Sequence, residues 1–200
     1  MKLENKISFG AKFINNINVG KLNKNSYIQD HVSFIEINPF NPNDIKALEN
    51  IAKYWEHDKF AGNIYIKAKE LSRRFNPEDA SKIYALTCQM SNFEKLIDTK
   101  ILGVTDGFVP FRNKKYINLD HLQVNPDFIY GFKKEYKGNG TSILNCLKNI
   151  YNRISLISLP SFSVKNFYIK NEFVEFPLNS NKFEWVKNVL DERPNSYFWF

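Results

Sequence analysis

The chain has 200 residues, a net charge of +7, and is 43% hydrophobic and 16% aromatic. That length buries a sizeable core unaided, and that composition excludes a disordered chain. Two cysteines, Cys88 and Cys146, exclude a disulfide framework, and no run of about eighteen apolar residues reads as a membrane span.

Residues 1–24 carry five lysines against Glu4. This basic segment leads into no apolar signal core, so a cytoplasmic protein is expected. Phe9, Phe13, Ile14, Ile17, Val19 and Leu22 make residues 1–31 too apolar for a solvated tail, and an extension forming a packed hairpin is expected there. The main domain then runs from 32 to 200. Val32–Ile37 alternates as a first strand. Asn43 or Asp44 can cap a helix reaching Trp55, with Ile45, Leu48, Ile51 and Ala52 on one face. A second helix is read over Asn63–Arg74. Strands follow at Lys82–Thr87 and Lys100–Thr105, the latter turning back through Asp106-Gly107 towards a further strand at Tyr116–Val124.

The segment after that strand carries the chemistry. Lys137-Gly138-Asn139-Gly140-Thr141-Ser142 opens a helix running to about Tyr151, with Ile143, Leu144, Leu147 and Ile150 as its apolar stripe. The backbone N–H groups of a helix start are unpaired and sit at the positive end of the helix dipole, and glycine lets an anion approach them. The loop suits a phosphate or pyrophosphate. It lacks the Gly-Lys-Ser/Thr of a mononucleotide loop and the third glycine of a dinucleotide fingerprint. Ile154–Leu159 then alternates as a strand, Ser163–Lys170 makes a short helix, and Phe173–Phe176 and Phe183–Val186 are strand-like. His31, His57 and His121 are too scattered for a metal site.

The order of elements, the Gly138-Asn139-Gly140 turn, the strand end Leu122-Gln123-Val124-Asn125-Pro126 and the segment Phe167-Tyr168-Ile169-Lys170-Asn171-Glu172-Phe173 resemble the GNAT superfamily of coenzyme A-dependent N-acyltransferases. The resemblance spans about residues 32–190, with its specific motifs between Leu122 and Phe173. It departs from the family pattern at Glu135, where Gln or Arg is usual, at Ser161, at Glu172 and in the lengthened link Asp127–Lys134.

The resemblance implies a single α/β domain with a mixed, mostly antiparallel sheet flanked by helices. It implies acetyl transfer from acetyl-CoA to a primary amine. Leu122, Gln123 and Val124 would bind the pantetheine arm and polarise the thioester through backbone groups. Lys137, Gly138, Asn139, Gly140, Thr141 and Ser142 would hold the pyrophosphate. Tyr168 would protonate the departing thiolate. Strand alternation puts Asn118, Asp120, Leu122 and Val124 on one face, and makes Asp120 a candidate general base, with His121 opposite unless a bulge intervenes. The acceptor is left open between a small amine, a protein amine and aminoacyl-tRNA. The positive charge favours an anionic partner such as RNA, and a homodimer stays open. A non-catalytic coenzyme A-binding or interaction module is the alternative. Acceptor-pocket loops are expected at Trp55–Arg74 and Asp127–Lys134.

Overall fold

The computed structural model describes residues 10–55, 60–73, 81–127 and 135–187. Lys134, His57, Phe9 and most of the Asp127–Lys134 link fall outside that description. Strand β1 (Lys12–Asn23) turns into β2 (Ser26–Glu36), and helices α1 (Pro42–Tyr54) and α2 (Phe60–Arg73) follow. Then come β3 (Ser81–Thr87), β4 (Ile101–Phe108), β5 (Tyr116–Val124) and the two-residue β6 (Tyr136–Lys137). Helix α3 (Asn139–Ile150), β7 (Arg153–Ile157), α4 (Phe162–Lys170), β8 (Val174–Glu175) and β9 (Lys182–Val186) complete the described chain.

All these strands form one sheet in the order β6-β1-β2-β3-β4-β5-β7-β9-β8. Every pairing is antiparallel except β5 with β7. A parallel pair needs a crossover, and α3 lies within the segment that makes it. The expected mixed, mostly antiparallel sheet with flanking helices is what forms.

The central strands are buried on both faces, so their sequences read as apolar runs. In β3, Tyr84 and Leu86 face α3 beside Phe34, Ile143 and Leu147, whereas Ile83 and Ala85 face α1 and α2 beside Leu48, Ile51 and Ile64. Each fully buried side chain of this size stabilises the fold by about 1.5–3 kcal/mol relative to exposure. Helix packing on the two faces therefore fixes the strand register, because a slip of one residue would exchange the two sets.

Several expected boundaries move. The first strand begins at Ser26, six residues early, because β1 and β2 pair along their length from Lys12↔Glu36 to Asn23↔Ser26. The expected hairpin region is thus part of the main sheet, and the division at residue 32 falls inside β2. The cap of α1 is Asn41, whose side chain accepts from the N–H groups of Asn43 and Asp44, with Pro42 opening the helix. Asp44 turns inward instead and accepts from the Asn38 N–H at 2.9 Å. The expected turn at Asp106-Gly107 is continuous β4. Glycine stands there because an added Cβ would lie 2.5 Å from the Asn118 carbonyl oxygen. Ile154–Leu159 shortens to β7, and Phe173–Phe176 to β8.

Candidate functional site

β5 and β7 pair only from Tyr116↔Arg153 to Leu119↔Leu156. Beyond that point β5 continues alone against β4, as far as Gly103↔Val124. Among the described residues, 120–124 therefore have no strand partner on the β7 side. The Asn125 N–H donates to the Leu102 carbonyl at 3.0 Å. In an antiparallel ladder this makes Val124↔Gly103 a non-hydrogen-bonded pair, and Gln123↔Val104 the hydrogen-bonded pair before it. The backbone N–H and C=O of Leu122 and Val124 consequently point away from β4, into the gap. Those of Gln123 point at β4. Its side chain is also committed, accepting from the Ala61 N–H at 2.7 Å and donating to the Trp55 carbonyl at 3.4 Å. Among the three residues expected to bind a ligand through their backbone, Leu122 and Val124 turn their backbone groups to the gap. Gln123 instead fastens β5 to the end of α1 and the start of α2.

Facing the same gap is the start of α3. Gly138 is its N-cap, in the left-handed region at φ +80°, and among the described residues no side chain caps the helix. A non-glycine residue would be strained at that φ. The Ser142 N–H bonds the Gly138 carbonyl at 2.8 Å, which leaves the N–H groups of Asn139, Gly140 and Thr141 as the helix's free donors. A Cβ on Gly140 would lie 3.8 Å from Val124 and 3.0 Å from the Phe167 ring. Gly140 thus lets the helix start, the end of β5 and α4 approach one another. Asn139 is buried, and its Oδ1 has no hydrogen-bond partner among the described residues. Lys137 is turned the other way, its ammonium 4.0 Å from the centroid of the Tyr27 ring.

Tyr168 on α4 packs among Phe167, Phe173 and Phe183, with ring centroids 5.1, 5.7 and 5.6 Å away. Its hydroxyl has no hydrogen-bond partner among the described residues. Burial among these rings pushes its pKa up to about 12.

On the opposite face of the sheet lies a charged group that the sequence leaves scattered. The register passes from Asp106↔His121 to Gly107↔Leu119, so Asp120 is the extra residue of a β-bulge. His121 Nδ1 lies 2.9 Å from Oδ1 of Asp106, which is fully buried. Lys67 of α2 reaches both carboxylates, 3.0 Å from Asp106 and 2.5 Å from Asp120. Asn63 Nδ2 lies 3.4 Å from His121 Nε2, and the Phe60 ring centroid 5.5 Å from that of the imidazole. The Asp106 hydrogen bond raises the His121 pKa above its ordinary value, against the opposing effect of burial. Burial would lower that of Lys67, but the Asp120 and Asp106 carboxylates outweigh it and raise it.

No protein-family model matches the chain, and no curated protein matches it in sequence. Solved structures do match. A protein assigned to the GNAT acetyltransferase family from Desulfovibrio desulfuricans superposes with a TM-score of 0.50 at 10% identity, over 76% of this chain and 94% of that one. The fold is that of the GNAT acetyltransferases. A protein assigned as an acetyltransferase from Exiguobacterium sp. 255-15 matches at 16% identity and TM-score 0.48, over 78% and 93% of the two chains. The spermidine/spermine N-acetyltransferase SpeG of Vibrio cholerae matches at 11% and 0.45, over 78% and 92%.

Within this GNAT fold the structure brings Leu122, Val124, Gly138, Asn139, Gly140 and Phe167 to one gap. Asp120 faces solvent and its lysine partner. The Asp106–His121–Lys67 group escaped the sequence reading because its members come from α2, β4 and β5, and because the bulge at Asp120 offsets simple alternation. Gly107 beside Asp106 was the available signal, and it reads equally well as a turn.

Proposed function

We propose that the chain is an acetyl-CoA-dependent N-acetyltransferase acting on a primary amine. One observation carries this reading. β5 parts from β7 after Leu119, so the backbone groups of Leu122 and Val124 face a gap at whose edge an uncapped, glycine-led helix starts. The gap offers a strand edge for the amides of a pantetheine arm, by the same hydrogen bonding that adds a strand to a sheet. The free N–H groups of Asn139, Gly140 and Thr141, with the neighbouring backbone of Lys137, Gly138 and Ser142, suit the pyrophosphate. Tyr168 presents a hydroxyl that is unpaired among the described residues and held by ring packing, available to donate to the departing sulfur.

The amine nitrogen attacks the thioester carbonyl carbon, the C–N bond forms and the C–S bond breaks. One proton leaves the amine, and one is given to the thiolate. The backbone N–H of Leu122 or Val124 supplies the donor that stabilises the oxyanion. On β5 the groups able to take the amine proton are Asp120 and His121.

The test is release of free thiol from acetyl-CoA over a panel of spermidine, a lysine peptide, a peptide with a free N-terminal glycine and a charged aminoacyl-tRNA. Turnover with one of these establishes the class and names the acceptor. Binding of acetyl-CoA without turnover on any of them leaves a coenzyme A-binding module instead.

A further inference from the structure

We infer that His121 is the general base for the acceptor amine and that Asp106 is its positioning residue. This deepens the acetyltransferase reading and rests on it. The sequence offered Asp120, but Asp120 is the bulged residue, half-exposed, with the Lys67 ammonium 2.5 Å from its carboxylate. Its carboxylate is already engaged in that ion pair. His121 follows it, in the half of β5 that has no β7 partner.

The ring's tautomer follows from its partners. Asp106, buried and acceptor-only as a carboxylate, accepts a hydrogen bond from Nδ1–H at 2.9 Å. Nε2 is left with its lone pair, and the side-chain amide of Asn63 donates weakly to it from 3.4 Å. An imidazole with Nδ1–H fixed on a buried carboxylate and Nε2 free is oriented and basic. Lys67 forms an ion pair with the other Asp106 oxygen at 3.0 Å, an oxygen that accepts no hydrogen bond among the described residues. Among the described residues the groups facing His121 are therefore Asp106 from β4, Asp120 from its own strand, and Lys67, Asn63 and Phe60 from α2. The His121 side chain keeps 24% of its surface exposed, enough for an amine or a bridging water to reach Nε2 in place of the Asn63 contact. Gln123, two residues on, ties the same face of β5 to Ala61 and Trp55, within the stretch expected to shape the acceptor pocket.

In the step, Nε2 accepts the proton shed as the amine nitrogen bonds to the carbonyl carbon, and Tyr168 donates one to the leaving sulfur. Solvent then takes the proton from the imidazolium and returns one to the tyrosine, so charge and protons balance.

The experiment is the pH profile of thiol release with the panel amine that turns over fastest, beside calorimetry with acetyl-CoA. Wild type should show an acidic limb set by a group titrating above about 6.5. His121→Gln should lower kcat by about 10²–10⁴ and remove that limb, with acetyl-CoA affinity unchanged. Imidazole added to His121→Gly should restore part of the rate, which a structural role would not allow. Asp106→Asn should move the limb to lower pH. If that variant does not fold, NMR titration of the ring in wild type reads the same shift. His121→Gln with wild-type kcat and its limb in place overturns the assignment and leaves the acetyltransferase reading standing. A wild-type protein that binds acetyl-CoA and acetylates nothing on the panel overturns both.

Discussion

Replacing Tyr168 with phenylalanine separates chemistry from packing unusually well in this fold. The ring touches Phe167, Phe173 and Phe183, and all three contacts survive the substitution. The hydroxyl has no hydrogen-bond partner among the described residues, so its removal breaks no such bond and orphans no group there. The melting temperature should stay within about 2 °C of wild type, since the loss is far below the roughly 1 kcal/mol that moves a domain of this size by 2–4 °C. A donor aimed at developing negative charge is worth about 2.7–4 kcal/mol, so kcat should fall about 10²–10³-fold. Acetyl-CoA affinity by calorimetry should be unchanged. Because burial pushes this hydroxyl to about 12, wild type should also show no activity loss from its ionisation up to about pH 10. An unaltered kcat in the folded variant, or a loss confined to KM, would refute the assignment of Tyr168 as acid.

Gly140→Asp sets a carboxylate beside the free N–H groups of α3 and should weaken acetyl-CoA binding at least tenfold, about 1.4 kcal/mol. Gly140→Ala controls for bulk, since its Cβ meets Phe167 at 3.0 Å without adding charge. Equal affinity in wild type and a folded Gly140→Asp protein would remove the site. Asp44 is held neutral by burial, its pKa raised from 3.8 to about 7. Its contribution is therefore complete below about pH 4 and is lost as pH rises through 7. Asp44→Asn should narrow the fall in melting temperature between pH 5 and 8, and an identical fall in both proteins would show that Asp44 titrates normally. Deleting residues 1–24 should lower the melting temperature, because Val19 is buried and Ile14 and Ile17 pack on the core. If the same lysine-rich segment contacts RNA, full-length protein should bind tRNA with a steep salt dependence. No retention on tRNA at low salt would exclude that partner.

The sheet and the α3 start were legible because their signals are local. Apolar alternation in β3 and β5, the stripe on α3 and the Gly138–Gly140 turn each occupy a few adjacent residues. Asn41 was passed over as a cap in favour of Asn43 and Asp44, since all three are capping types and only the fold shows which one lies outside the first turn. Gln123 could not be assigned from sequence. Whether a strand residue turns its amide to one neighbour or the other depends on ladder phase, and a single hydrogen bond from Asn125 settles it. The same holds for Asp106 and Lys67, 39 residues apart in sequence and joined only once α2 lies across β4 and β5.

The short strand β6 has a consequence for how the molecule breathes. Two residues cannot hold a strand in place alone, and Tyr136 and Lys137 are fastened to Lys21 and Gly20 of β1. The Leu22 N–H adds a 2.7 Å bond to the Glu135 carbonyl, and the Tyr136 hydroxyl reaches Asp30 of β2 at 3.3 Å. The segment that delivers the chain to Gly138 therefore opens only when the tip of the β1–β2 hairpin lets go of it. Amide exchange should report this as a single cooperative unit, with Leu22 and the Gly20–Lys21 and Tyr136–Lys137 pairings losing protection together. Ligand captured at the start of α3 should slow exchange on a hairpin that it does not touch.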